Sequence, residues 1–202
     1  MNSKNWDRFA PFYNASRRLD KKAYEEMYAL IRKRVKGKIV LELATGTGLI
    51  TKNVADAAKR VIATDYAPKM IVQAKKGSVP TNVKFTVMDA CDIKFEDNSF
   101  DVVIISNALH VMPNPEKALT EIKRVLKPEG VLIAPTYTHG KMNKKRKLLS
   151  KGMKLVGFRA EHKWTSAEYA AFIRQNGFLI TLEKTANASF PLTYIECICN
   201  GE

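Results

Sequence analysis

From Lys38 onward the chain alternates between short apolar, β-branched runs and longer stretches with helical spacing. "KIVLEL" (38–43) leads into glycines and a helical stretch near 48–58, and "RVIATD" (60–65) repeats the strand character. "APKMIVQAKKG" (67–77) reads as a helix closed by Gly77, "NVKFTVMD" (82–89) as a third strand, and "FDVVIISNAL" (100–109) as a fourth, apolar enough to be buried on both faces. In 114–130 Ala118, Leu119, Ile122, Val125 and Leu126 share one helical face, with Pro115 at the start and Pro128 and Gly130 past the end. "GVLIAPTY" (130–137) is a fifth strand, and the helix of 165–178 is capped by Thr165 or Ser166 and stopped at Gly177. "FLITLEKT" (178–185) and "LTYIECIC" (192–199) complete the set.

Strands alternating with helices of this length predict an α/β fold, a mostly parallel sheet with helices on both faces. The connection between the last two strands is too short for a crossover helix, so they pair antiparallel. The expected sheet therefore has seven strands, mostly parallel, with an antiparallel last strand. Such sheets bind ligands beyond the carboxyl ends of the strands.

Three successive strands end in an acid. Glu42 is followed by Ala44, Thr45, Gly46 and Gly48, where glycines let a ligand approach the backbone and let the helix pack closely on the strand. A dinucleotide loop would read G-x-G-x-x-G, but counting from Gly46 the third position is Thr51, so that fingerprint fails. Asp65 ends the second strand, where a carboxylate accepts both hydroxyls of a ribose or caps the following helix. Asp89, followed by Ala90, ends the third.

Composition narrows the class. The 202 residues suit one domain, 46% hydrophobic and 27% charged, with no apolar run long enough to span a bilayer and no signal-peptide core; this reads as soluble and cytoplasmic. Cys91, Cys197 and Cys199 lack metal spacing and sit in apolar stretches, so no metal centre is expected and reduced thiols in or near the core are. The formal charge of +14 lives in two segments. Residues 1–38 carry eleven bases against four acids, and residues 141–163 carry nine against one. Both read as basic amphipathic helices, with Leu19, Ala23, Met27, Leu30 and Ile31 on the apolar face of the first.

In combination, Glu42 with "ATGTG", Asp65 after a second strand, "MDACDIKFEDNSFDVVI" and "LKPEGVLIAPT" resemble the motifs of class I S-adenosylmethionine-dependent methyltransferases. The group most resembled is the small ubiquinone/menaquinone C-methyltransferase-like and phospholipid N-methyltransferase-like enzymes. The resemblance is strong over 38–136 and looser at both ends. It implies a Rossmann-like sheet and S-adenosylmethionine as methyl donor, with S-adenosylhomocysteine as product. It also implies roles for particular residues. Ala44, Thr45, Gly46 and Gly48 line the methionine and ribose part of the cofactor, Glu42 organises that loop and, directly or through water, the cofactor's amino group, and Asp65 holds the ribose hydroxyls. Tyr66 and Met70 pack on the adenine, Asp89 takes its amine beside the Ala90 backbone, and Asn107 faces the methionine moiety through its carbonyl. Tyr13 joins this set from the N-terminal segment. The family usually has Gly where this chain has Ala44, which restricts the loop to an angle open to an L-residue.

Methyl transfer to an oxygen or carbon acid needs a base, and the candidates by position are His110, Tyr137, His139 and Tyr13. His162 and Trp164 read instead as anchors of the next helix. One domain is expected: a helical cap (1–37), the cofactor-binding core (38–136), a basic insert (137–164) and a C-terminal helix with its strand pair (165–202). The acceptor expected under that cap is a small or lipid-like molecule, with peripheral contact to an anionic membrane through the basic segments. The same charge also suits RNA, although the chain has neither an appended RNA-binding motif nor a run of interleaved aromatics. A non-catalytic module that only binds the cofactor is a third reading.

Overall fold

The computed structural model describes residues 20–139 and 160–201. Strands β1 (Ile39–Leu43), β2 (Arg60–Asp65), β3 (Val83–Val87), β4 (Phe100–Ile105) and β5 (Leu126–Ile133) form the parallel part of the sheet, in the spatial order β3-β2-β1-β4-β5. The strand order reverses between β1 and β4, and the loops after both strands open at that point. Strand β8 (Leu192–Cys199) runs antiparallel to β5, and β7 (Phe178–Ala186) runs antiparallel along the other edge of β8. The two-residue β6 (Thr136–Tyr137) pairs with the start of β8, continuing the line of β5 past Ala134 and Pro135. The expected antiparallel final pair is present, and β6 is the eighth strand that the sequence pattern merged into the fifth.

The helices are α1 (Lys21–Val35), α2 (Leu49–Val54), α3 (Pro68–Ala74), α4 (Pro115–Val125) and α5 (Ser166–Gln175). Period-two alternation divides the strand side chains between two cores. Leu41, Leu43, Val103, Ile105 and Leu132 face α4 and α5. Val40, Val102, Ile104 and Ile133 face α1, α2 and α3. Strand β4 therefore has apolar residues in both cores, as its unbroken apolar run predicts. Cys197 is buried in the first core and Cys199 packs against it.

Local signals set most of the boundaries. Pro115 begins α4, and Thr165 caps α5 through a reciprocal capping box with Glu168. Helix α4 ends one residue earlier than its apolar face suggests: Leu126 already belongs to β5, paired with Phe100. The register of β4 against β5 then jumps, so that Val102 faces Val131 and residues 127–130 bulge out. Gly130 permits the bulge, because a Cβ there would lie 2.8 Å from the Leu126 side chain and 2.9 Å from the Lys127 carbonyl.

Two long-range features lock the helices to the sheet. Arg34, at the end of α1, donates from Nε to Glu196 Oε2 at 2.5 Å, and Tyr194 Oη donates to Glu196 Oε1 at 2.6 Å. The Glu196 side chain is 2% exposed against 48% for Arg34, so the guanidinium is the bridge between a buried carboxylate and water. Gly48, at the start of α2, has φ +75°, and a Cβ there would lie 2.8 Å from the Phe85 ring. The second glycine of the loop thus serves close packing of α2 on β3.

Arg34→Ala is expected to destabilise the fold by roughly 2–3 kcal/mol in urea denaturation, because it strands the Glu196 carboxylate in the interior; adding Glu196→Gln should restore most of the loss. Gly48→Ala should cost about 2 kcal/mol from strain in the left-handed backbone and overlap with Phe85, and Phe85→Leu should relieve only the overlap.

Candidate functional site

A cavity of about 340 Å³ opens at the carboxyl ends of β1, β2, β3 and β4. Ala44 and Gly46 wall it from the β1 turn, Asp65, Tyr66 and Met70 from the β2 end and α3, Asp89 and Ala90 from the β3 end, and Asn107 from the β4 end. Eight of the residues anticipated from the sequence therefore share one space. Glu42, Thr45 and Gly48 do not line it, and Tyr13 lies outside the described residues.

The geometry of the acids explains the division. Asp65 is buried, and its Oδ2 accepts from Gly46 N at 2.8 Å while its Oδ1 accepts from Ala67 N at 2.8 Å. It therefore fixes the turn leading into α3, close to the capping role expected of it, and also grips the glycine loop, a contact the sequence did not suggest. Asp89 repeats the local half of this arrangement: its Oδ1 accepts from Cys91 N at 2.8 Å, two residues on. Glu42 is buried and does not line the cavity, and its Oε2 accepts from the Thr51 hydroxyl. Thr51 is the residue standing where a dinucleotide loop would carry its third glycine. Here its hydroxyl ties α2 back to β1, so Glu42 shapes the loop from behind.

Strain is concentrated along the cavity wall. Ala44 has φ +51° and Asn107 φ +52°, two of three non-glycine residues with positive φ among those described, and Gly46 has φ +59°. Ala44 occupies the small left-handed region open to L-residues, which accommodates the alanine in place of the family's glycine. The side chain of Asn107 is committed to protein partners. Its Oδ1 accepts from Tyr137 N at 3.0 Å, and its Nδ2 donates to Tyr24 Oη at 3.1 Å and to Ser106 Oγ at 3.3 Å.

The sequence did not mark Met88, Ser106, Met112 and Lys117 as site residues, nor Cys91, read there only as a thiol near the core; all five also line the cavity. Met88 and Ser106 directly follow the ends of β3 and β4, a positional signal that could have found them. Lys117 arrives from α4 through the tertiary fold alone.

The base candidates separate clearly. His110 is buried, its Nδ1 within 2.8 Å of Thr136 Oγ1, and burial with two neighbouring histidines lowers its pKa to about 4. It is a packed neutral residue bridging β4 and β6, and it does not line the cavity. Tyr137 donates its hydroxyl to Asp20 Oδ2 at 2.7 Å, and burial, Tyr24 and that carboxylate push its pKa far above the usual phenol value. Its proton is held, which suits a donor and not a base. His139 is half-buried, and its Nδ1 is buried with no hydrogen-bond partner among the described residues. Burial and the nearby Lys163 lower its pKa, so the ring is neutral near pH 7. His162 Nε2 lies 3.2 Å from the Met112 carbonyl and the ring stacks on Trp164 at 4.7 Å, the anchoring role expected of that pair.

The bases of α1 are not gathered at one place. Helix α1 starts beside the cavity wall, through Tyr24, and ends at the opposite, amino end of the strands, where Lys38 leads into β1. Lys21 and Lys22 therefore stand at the cavity end, whereas Arg32, Lys33, Arg34 and Lys36 stand about 20 Å away along the helix. The second basic helix, near 144–157, lies outside the described residues. Among the described residues no helix is long and apolar enough to cross a membrane, and no cluster of side chains is arranged to hold a metal ion.

Comparison with known proteins agrees with this geometry. Residues 41–134 match the family described as a methyltransferase domain. A demethylmenaquinone methyltransferase of Renibacterium salmoninarum is 39% identical over 105 residues, 52% of this chain and 44% of that protein. The ubiquinone/menaquinone biosynthesis C-methyltransferase UbiE of Hydrogenovibrio crunogenus is 38% identical over 109 residues, 50% of this chain and 43% of its own length. The chain thus spans under half the length of these curated relatives. A methyltransferase of Thermotoga maritima described as a possible histamine N-methyltransferase superposes with a TM-score of 0.77 at 19% identity, covering 97% of this chain and 99% of that one, a likeness of fold. The strand order, the acids near the strand ends and the match over 41–134 all liken the chain to S-adenosylmethionine-dependent methyltransferases, and the curated relatives are demethylmenaquinone and ubiquinone/menaquinone methyltransferases.

Proposed function

We propose that this protein is an enzyme transferring a methyl group from S-adenosylmethionine to a small or lipid-like acceptor. The observation that carries this reading is the convergence of the β1 turn, Asp65 and Asp89 on one strand-end cavity of about 340 Å³, a size in the range of small-molecule sites. The donor set fits an adenosine with an amino-acid tail. Asp65 is a rigidly held carboxylate for ribose hydroxyls, with Tyr66 and Met70 giving apolar faces for a purine and Asp89 an acceptor for its amine. Ala44 and Gly46 allow close backbone approach, and Asn107, its amide already engaged, offers the main-chain carbonyl. Glu42 contributes by holding Thr51 and the loop.

When bound, S-adenosylmethionine supplies a methyl group on a sulfonium, which leaves readily. The protein then has to orient the two reactants, exclude water and, for an oxygen or carbon acid, accept a proton. None of the base candidates among the described residues lines the cavity; His139, with an unpartnered ring nitrogen and a lowered pKa, is the one we propose as proton acceptor. Tyr137 and His110 support the wall from behind. The names of the relatives favour a quinone-type ring as acceptor, and Lys21 and Lys22 at the cavity end are compatible with peripheral attachment to an anionic membrane.

Isothermal titration should show binding of S-adenosylhomocysteine and none of NADH, with Asp65→Ala weakening the former by roughly 10- to 100-fold. Equal binding of both ligands, or of neither, would overturn the assignment. Labelled methyl transfer into fractionated cell extract should then place the label in the lipid or small-molecule fraction, and label in RNA would favour the rival acceptor. For the proton acceptor, kcat/KM should fall on the acid side through a pKa below the free-imidazole value of 6.5, because the ring must be neutral to accept. His139→Asn should lower the rate by about 100-fold and abolish that acid limb.

A further inference from the structure

Asn107 is a non-glycine residue held at φ +52° in the cavity wall, and each polar group of its side chain is spent on holding it there. A left-handed asparagine persists only where its surroundings over-determine it. Here the surroundings form a chain of polar contacts that leads away from the cavity. Asn107 N donates to the Pro135 carbonyl at 2.8 Å, and its amide spans Tyr24 on α1 and the backbone of Tyr137 on β6. The Tyr137 hydroxyl continues to Asp20 at 2.7 Å, just before α1. Asp20 is buried, and its other oxygen accepts from Ser189 N at 2.6 Å and Ser189 Oγ at 2.8 Å in the β7–β8 connection. Residues 169 positions apart in sequence thus meet behind one strained position.

We infer that Tyr24 is a positioning residue for the cofactor: through the Asn107 amide it holds the backbone of the β4 end in the conformation the cofactor meets, with Asp20 and Ser189 bracing the assembly through Tyr137. The first turn of α1 is therefore part of the binding apparatus although it does not line the cavity. This rests on the reading of the cavity as an S-adenosylmethionine site.

The test is a double-mutant cycle on S-adenosylhomocysteine affinity, measured by titration calorimetry on the full chain. Tyr24→Phe removes one hydroxyl and should weaken binding about fivefold, the loss expected for one hydrogen bond. Asn107→Gly supplies a residue that adopts positive φ freely and has no amide to hold. In that background Tyr24→Phe should leave the affinity unchanged within about twofold. Equal weakening in both backgrounds, or none in either, overturns the inference, since a merely structural role for Tyr24 would not depend on the amide at 107. Amide hydrogen exchange gives a second readout should the glycine variant not fold. The Asn107 N–H should exchange about fivefold faster in Tyr24→Phe, and unchanged exchange would equally overturn it. Failure of the wild-type protein to bind S-adenosylhomocysteine would be a different result, overturning the cofactor reading and this inference with it.

Discussion

One carboxylate sets the geometry of the strand ends. Asp65 leaves β2 buried, and its two oxygens take backbone N–H groups from two different elements, the β1 turn and the start of α3. Its main-chain carbonyl takes a third, from Met88 just past β3. Charge-assisted bonds of this kind are short and stronger than neutral ones, so three strand ends are fixed relative to one another by a single residue. The left-handed angles at Ala44 and Gly46 follow, because the loop must fold back far enough for Gly46 N to reach the carboxylate. The cavity is the space these constraints leave.

Much of this was legible in the sequence, for a physical reason. Strand and helix signals depend on neighbours two to four residues apart, and so do caps and short acid-to-backbone turns. The Thr165–Glu168 box, Pro115 at a helix start and the acids at or within two residues of the ends of β1, β2 and β3 are all local signals. Asp89, which bonds two residues ahead, is the simplest case. Where local signals compete, boundaries moved: Leu126 fits the apolar face of α4, yet pairing with Phe100 draws it into β5.

The unread part consists of contacts between distant positions. Nothing local to Glu196 reveals that Arg34, 162 residues earlier, reaches it. Nor does anything near Thr51 reveal that its hydroxyl reaches back to Glu42. Charge was the least legible property in space. A count along 1–38 locates the bases in sequence, but α1 carries those at 21–36 from the carboxyl ends of the strands to their amino ends, so one helix serves two surfaces. The candidate bases behave alike: three residues adjacent in topology proved to be a packed neutral ring, a held phenol and a ring with one unclaimed nitrogen.

The position of β8 has a consequence for how the chain assembles. Strand β7 touches the sheet only through β8, which lies between it and β5. The pair is joined by a short connection (187–191) and so can form as a hairpin on a microsecond scale, long before distant segments find one another. Docking that hairpin onto β5 is then the late, non-local step, and until it happens β5 presents an unpaired edge in an apolar setting. The order of events is thereby constrained by connectivity: the parallel half can zip strand by strand, whereas the antiparallel half joins as a preformed unit or leaves an adhesive edge to neighbouring chains.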